Sequence, residues 1–270
     1  MLNRFCVALT GVAILATAGC ESVQTTQPGA VGVERKQRML VSEAEVEKGA
    51  VEAYAAEKQK AQAEGKLNSN SALTSRVRNV SQRLIPGTGT FRSDAPGWKW
   101  EVNTLSTKEL NAYCMPGGKI MVYTGLIDTI KPTDAELAAV IGHEIAHALR
   151  EHSRERLSRA YAEQMVLAGV AVATGAGDSV MGLAGQISAV TFQLPHSREQ
   201  EAEADRIGLE LMARAGYDPN AAVSLWQKMS KASSGGPPEF LSTHPSGESR
   251  IRDLEKNVPR VLPLYQAARK

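Results

Sequence analysis

The pattern of hydrophobic and polar positions predicts a short run of strands followed by a long helical region. Helices are predicted from Glu43 to Lys66 and from Ser71 to Leu84. Apolar or alternating runs predict three strands: Trp98 to Leu105, Ala112 to Met115 and Lys119 to Thr124. From Thr133 onward the periodicity is almost entirely helical. We therefore expect an α+β, mainly helical fold with a small β-sheet.

An apolar, Gly- and Ala-rich stretch from Gln164 to Leu194 invites interpretation as a membrane span. Asp178 and its flanking glycines interrupt it, and neither half reaches the roughly 18 to 20 apolar residues that a span needs. We therefore expect a buried helical hairpin. A face that contacts lipid or an apolar substrate is the alternative.

The first twenty residues have the pattern of a bacterial secretion signal. Arg4 supplies the positive charge, Cys6 to Ala16 form a short apolar region, and small residues lead to Cys20. Small residues before a cysteine resemble the lipobox of bacterial lipoproteins, in which the cysteine becomes lipidated after cleavage. Residues 1–19 are therefore expected to be a lipoprotein signal peptide, and Cys20 the lipidated first residue of the mature chain. Thr17 stands where the lipobox usually has Leu, so cleavage without lipidation is the alternative.

The remaining chain divides into three parts. Residues 20–42 have little apolar periodicity and predict a flexible tether, residues 43–70 an N-terminal helix, and residues 71–270 the main domain. Glu21 is not the Asp that resembles an inner-membrane retention signal. We therefore expect a periplasmic protein that Cys20 anchors to the outer membrane.

Composition narrows the possible partners. The formal net charge of the 270 residues is only +2, so no basic excess indicates a nucleic-acid partner. Once Cys6 has left with the signal and Cys20 carries lipid, Cys114 is the one remaining cysteine and an intramolecular disulfide is not expected. No His or Asn is close to Cys114 in sequence to activate it, so we interpret it as a small buried hydrophobic residue.

The strongest chemical signal is the run from His143 to His147, in a helix that begins with a capping box of Thr133 and Glu136. Two His four residues apart lie one turn apart on one helix face, which suits two imidazoles that bind one zinc ion. Glu144 between them would lie beside a water molecule on the metal. Apolar residues occupy the opposite face, so the His face is expected to remain free of packing.

A catalytic zinc site needs a third protein ligand, and an acidic run in the next long helix can supply it. Glu201 and Asp205 fall on the apolar, inward side of that helix, where an unpaired charge is costly. We therefore expect Glu201 to bind the metal and Asp205 to accept the free ring N–H of a metal-binding His. The alternative is that both carboxylates pair with arginines.

The other charged residues of this helix fall on the opposite side, which we interpret as a solvated face. They are Glu199, Glu203, Arg206 and Glu210. Two further histidines, His152 and His196, are likewise expected at the surface. A linker from Ser233 to Pro238 precedes His244, which lies in a loop by composition.

Several segments together resemble the HtpX- and Oma-type zinc metallopeptidases, peptidase family M48, which are related to the CAAX prenyl proteases. They are Asn111-Ala112, Pro116 to Ile120, Thr124 to Leu126, His143 to His147, Ser197 to Asp205, Thr243 to Pro245 and Arg250-Ile251. The chain is most similar to the periplasmic lipoprotein branch, and it lacks the transmembrane helices of the membrane-embedded members.

The resemblance implies a mainly helical, zincin-type (gluzincin) domain whose small sheet has an edge strand beside the active site. An extended substrate would add to this strand, so the resemblance assigns substrate binding to Asn111, Ala112, Tyr113 and Cys114. It also implies that His244 or Arg250 lies near the metal, where either residue would stabilise the oxyanion or occlude the metal.

The sequence therefore predicts a zinc-dependent endopeptidase with one zinc ion per chain, held by His143, His147 and Glu201. Glu144 would act as general base, and unfolded or misassembled envelope proteins would be the substrates. A lipid-anchored chaperone for outer-membrane proteins that keeps the peptidase fold is one alternative. Another zinc hydrolase with the same two-His motif is the other.

Overall fold

A three-stranded sheet between helices positions the segments that carry the motif residues. The computed structural model describes residues 21–174, 183–192, 195–232, 242–244 and 248–269. Its strands are β1 (Glu21–Val23), β2 (Gln37–Met39), β3 (Glu101–Leu105), β4 (Ala112–Met115) and β5 (Lys119–Tyr123). Its helices are α1 (Glu43–Ala63), α2 (Ser71–Leu84), α3 (Thr124–Ile130), α4 (Asp134–Leu149), α5 (His152–Thr174), α6 (Leu183–Phe192), α7 (Arg198–Arg214), α8 (Asn220–Ala232) and α9 (Glu248–Ala268). The expected mainly helical α+β fold is confirmed.

The strand that the family resemblance places at the sheet edge, β4, lies there. Strand order is β3-β5-β4, with β4 antiparallel and β3 parallel to β5. Gly117 and Gly118 join β4 to β5 and both have positive φ angles, 75° and 78°, a conformation that glycine adopts without steric cost. β3 begins at Glu101 and not at Trp98, because residues 95–97 form a 3₁₀ turn that Trp98 caps.

The two faces of the sheet pack against different helices because side chains alternate along a strand. Ala112 and Cys114 of β4 belong to the larger core, which includes buried residues of α4 and α7. Tyr113 and Met115 belong to a second core with residues of α1 and α6. Cys114 is buried, as predicted, and burial raises the pKa of its thiol well above the usual value, so the thiol is neutral.

The prediction of a flexible tether over residues 20–42 is wrong for the described part. β1 and β2 pair with each other, and Val31 and Val33 are buried in the main core. Polar groups of this segment also have buried partners: the Gln37 amide donates to the Arg150 carbonyl at 2.7 Å. Apolar periodicity could not predict the ordered structure of this segment, because hydrogen bonds of buried polar groups supply many of its contacts. Residues 1–19 and Cys20 lie outside the described residues.

The apolar stretch after α4 forms two helices in its described part. α6 contacts α1 and α5, and Ile187 and Val190 of α6 are buried. None of the described helices combines the length and the apolar character needed to cross a membrane. The predicted stretch, residues 164–194, is therefore helical over residues 164–174 and 183–192, and the Ser233 to Pro238 linker lies outside the described residues.

Helices α4 and α7 approach each other closely at two glycines. A Cβ atom added to Gly208 would lie 2.8 Å from the backbone nitrogen of His143, and one added to Gly142 would lie 3.0 Å from the Gly208 carbonyl oxygen. Only glycine permits this approach, because any side chain would meet backbone atoms that cannot move independently. The approach sets the distance between the His143 to His147 run and Glu201.

We predict that Gly208→Ala lowers the free energy of unfolding by about 1 to 3 kcal/mol, since the added methyl group must push α4 and α7 apart. The measurement is chemical denaturation followed by circular dichroism. Gly97→Ala is the control, because a Cβ atom there would meet no atom within 4 Å. Equal stability of Gly208→Ala and the unaltered chain would contradict the proposed helix contact.

Candidate metal and active site

Helix α4 places His143 and His147 on the side that faces α7. The predicted capping box is present: the Thr133 hydroxyl accepts from the Glu136 amide, and the Glu136 carboxylate accepts from the Thr133 amide. The expectation that the His face stays free of packing is wrong, because both His are buried. Residues of α7, α9 and the 242–244 segment cover this face through their polar groups.

The structure brings together the three side chains that the sequence selects as metal ligands. The Nε2 atoms of His143 and His147 lie 3.0 Å apart. The Glu201 carboxylate lies 3.5 Å from the first nitrogen and 3.4 Å from the second. These residues and His244 each offer one ligand atom within 4.8 Å of the others, and together they could hold one metal ion.

Charges around the cluster favour a cation. Burial opposes ionisation of Glu201, but His244, Arg250 and His143 hold its pKa well below the usual range. Burial alone would lower the pKa of His143, yet the carboxylates of Glu201 and Asp205 raise it to about 9. The Glu201 carboxylate is therefore charged at neutral pH, and Glu201 and Asp205 together favour a positive charge at the His143 ring.

Asp205 lies at the predicted position beside His143. Its carboxylate oxygen lies 3.0 Å from His143 Nδ1 and, as an acceptor, fixes the proton on that nitrogen. Arg250 donates to both Asp205 oxygens at 2.7 Å, and its Nη1 lies 2.6 Å from a Glu201 oxygen. The alternative, in which both carboxylates pair with an arginine, is therefore also present in the structure. The Arg250 guanidinium also packs on the Trp226 ring, with Cζ 3.7 Å from the ring centroid.

Glu144 lies at the boundary between the metal cluster and a pocket. It is buried, and burial raises the pKa of its carboxyl above the usual value. Its Oε1 atom has no hydrogen-bond partner among the described residues. An oxygen of this kind is available to accept a proton from a water molecule or a substrate.

The pocket beside Glu144 runs along β4. Its lining includes the four predicted substrate-binding residues, Asn111, Ala112, Tyr113 and Cys114. His147, His196 and His244 contribute from the metal side, and Ser153, Arg156 and Thr191 from α5 and α6. Among the described strands, β4 pairs only with β5, so its other edge is unpaired within the described sheet. Arg250 is not among the described residues that line this pocket.

His244 lies against the three proposed ligands. Its Nδ1 atom is 3.0 Å from a Glu201 oxygen and 3.3 Å from His143 Nε2, and its Nε2 atom is 3.7 Å from Glu144. His244 is therefore at the fourth corner of the ligand cluster, where it would compete with any other ligand of the metal.

The expectation that His152, His196, Glu203 and Glu210 are surface residues is wrong, since all four are buried. His152 Nδ1 lies 2.7 Å from His147 Nδ1, and His152 Nε2 lies 3.0 Å from Glu203. Burial lowers the pKa of His152 to about 4, so its ring is neutral at pH 7. Only the spacing of five residues after His147 hinted at this contact, and helix periodicity alone could not have revealed it.

Comparison with known proteins agrees with this geometry. The model of peptidase family M48 matches residues 71–258, which shows that the chain belongs to that family. The resemblance to family M48 is thereby confirmed.

Relatives of the chain come from mitochondria and from bacteria. "Mitochondrial metalloendopeptidase OMA1" of Schizosaccharomyces pombe is 39% identical over 68% of this chain and 52% of its own length. The Arabidopsis thaliana protein of the same name is 40% identical over 64% of this chain and 35% of its own length. "Beta-barrel assembly-enhancing protease" of Escherichia coli is 26% identical over 73% of this chain and 41% of its own length. The match therefore spans about a third to a half of each relative.

We predict that His143→Ala loses bound metal, whereas Glu144→Gln retains it. His143 Nε2 is one of the clustered donor atoms, and Glu144 is outside the cluster. The first variant is expected to lose at least about tenfold in metal affinity. Metal content of the purified variants, measured by mass spectrometry of the elements, tests this. Equal loss from both variants would contradict the assignment of roles.

Proposed function

We propose that the protein is a zinc-dependent endopeptidase that hydrolyses unfolded or misassembled proteins of the bacterial cell envelope. One observation carries this proposal: three buried donor side chains converge beside Glu144 Oε1, which has no hydrogen-bond partner among the described residues, and beside a pocket lined by an edge strand.

Zinc suits the donor set. A tetrahedral zinc with nitrogen and oxygen ligands at 2.0 to 2.1 Å separates neighbouring donor atoms by about 3.3 Å. The Nε2 atoms of His143 and His147 are 3.0 Å apart, and they lie 3.5 and 3.4 Å from the Oε2 and Oε1 atoms of Glu201, respectively. When bound, zinc lowers the pKa of a coordinated water and polarises a carbonyl group.

Residues of the chain would carry out proton transfer, substrate binding and the positioning of the metal ligands. Glu144 is expected to take the proton of the attacking water and to pass it to the leaving amine. Backbone groups on the unpaired edge of β4 would bind an extended peptide as an added strand, between Asn111 and Cys114. Such binding reads backbone more than side chains, which supports a preference for unfolded segments. Arg250 would act as a positioning residue through Asp205 and Glu201, since it holds both carboxylates.

The envelope location rests on the sequence and on similarity. We propose that residues 1–19 direct export and that lipid on Cys20 anchors the protein to the outer membrane on its periplasmic side. The E. coli relative is named for β-barrel assembly, which supports a role for this chain in the quality control of β-barrel proteins. Since β1 begins at Glu21, such an anchor would hold the folded domain close to the membrane surface.

A chaperone-like role in outer-membrane protein assembly is the second candidate. The position of His244 favours it, because this ring fills the fourth corner of the ligand cluster. A protein in this arrangement would bind peptides along β4 without cleaving them until His244 moves.

We predict that the purified chain cleaves casein and that Glu144→Gln reduces the rate by at least about a hundredfold, since a general base contributes roughly 10² to 10⁴. Zinc content is measured on both samples. Cleavage by the unaltered chain alone, with zinc in both, would support the proposal. Cleavage at the same rate by Glu144→Gln would contradict it.

We further predict that His244→Ala raises the rate of casein cleavage by about tenfold, which corresponds to about 1.4 kcal/mol of competing interaction removed. Ser242→Ala, an exposed neighbour, is the control and should cleave at the unaltered rate. A lower rate for His244→Ala would show instead that His244 assists the reaction, for example by stabilising the oxyanion.

A further inference from the structure

We propose that His152 and Glu203 are positioning residues for the metal site, which fix the proton and the ring orientation of His147. The proposal rests on the proposed metal site. It concerns a relay of three side chains, from His147 through His152 to Glu203, that reaches across the fold from α4 to α7.

A metal-binding imidazole must present a lone pair on one nitrogen, so its proton must be held on the other. His147 Nε2 points to the cluster, at 3.0 Å from His143 Nε2. Its second nitrogen, Nδ1, lies 2.7 Å from His152 Nδ1. One of these two nitrogens must donate and the other must accept.

Glu203 decides which nitrogen donates. The Glu203 carboxylate lies 3.0 Å from His152 Nε2, and Arg35 and Arg150 keep it an acceptor, so His152 carries a proton on Nε2. His152 Nδ1 then accepts, and the proton between the rings belongs to His147 Nδ1. This arrangement leaves His147 Nε2 with its lone pair directed at the metal position.

Arginines hold Glu203 in its ionised form. Arg35 donates to both Glu203 oxygens, at 2.6 and 3.1 Å, and Arg150 donates to one of them at 3.0 Å. Arg150 follows α4 directly, whereas Arg35 belongs to the segment that precedes α1. Because both the His152 ring and the Glu203 carboxylate are buried, water competes little for these hydrogen bonds.

The relay parallels the support of the other histidine. His143 donates directly to Asp205, which Arg250 holds. His147 reaches a carboxylate indirectly. It donates to His152, His152 donates to Glu203, and two arginines hold Glu203. Each metal-binding ring thus donates to a buried acceptor. The carboxylate that orients each acceptor, Asp205 or Glu203, belongs to α7 and is held by arginine.

The test compares zinc affinity of His152→Phe and His196→Phe in the full chain, by competition with a chromophoric chelator. Both residues are buried and both rings contact His147, with centroids 4.9 Å and 3.9 Å away. Only His152 has a hydrogen bond to His147 Nδ1. We expect His152→Phe to weaken zinc binding by about 10- to 100-fold and His196→Phe to have little effect. His152→Asn, whose amide oxygen can accept from His147, should recover part of the affinity.

Equal zinc affinity of His152→Phe and the unaltered chain would overturn the proposal. Equal weakening by both Phe variants would also overturn it, because ring packing would then explain the loss. A measurement on the unaltered chain covers the case in which a variant fails to fold: imidazole ¹⁵N shifts should show His147 protonated on Nδ1 and His152 on Nε2. A His152 proton on Nδ1 would contradict the relay.

These measurements separate the relay from peptide cleavage. A chain that binds zinc through this relay but leaves casein intact would contradict the proposed peptidase and leave the relay standing. A chain that binds no zinc would overturn the metal site and the relay together.

Discussion

The burial of four carboxylates on one helix is the constraint on which the rest of the structure depends. Glu201, Glu203, Asp205 and Glu210 of α7 are all buried. An unpaired buried carboxylate is too costly to retain its charge, so each must meet a cation or several donors. These partners come from distant parts of the chain, and their convergence on α7 defines where α4, α9 and the N-terminal segment must lie.

The buried carboxylates on the two sides of α7 have different partners. On one side, Arg250 of α9 and the two histidines of α4 surround Glu201 and Asp205. On the other side, Arg35 and Arg150 meet Glu203. Farther along the helix, the Val31 amide donates to Glu210 at 3.1 Å, and Arg214 pairs with the same carboxylate. The polar segment before α1 therefore packs against the domain because its donors, Val31 N–H and Arg35, satisfy buried carboxylates of α7.

The sequence could predict the part of the site that follows local rules. Spacing of four residues placed His143 and His147 on one face, and periodicity separated Glu201 and Asp205 from their neighbours. The capping box fixed the start of α4, and the glycine pair fixed the turn between β4 and β5. All of these features depend on residues within a few positions of one another.

The buried charges could not be predicted in the same way. Glu203 and Glu210 lie on the face that helix periodicity assigns to solvent, and only the fold shows that Arg35 and the Val31 backbone cover it. His152 and His196 belong to no local pattern, because their partners are defined by how α4, α5 and α7 pack. The same reason explains why a tether was expected where β1, β2 and their buried neighbours lie.

The central claim is that one metal ion binds between His143, His147 and Glu201. Anomalous X-ray scattering from crystals of the zinc-loaded chain, recorded on both sides of the zinc absorption edge, tests it most directly. We expect one peak bounded by the Nε2 atoms of both histidines and a Glu201 oxygen. A peak at the neighbouring group of His147, His152 and His196, or no peak near α4, would contradict it.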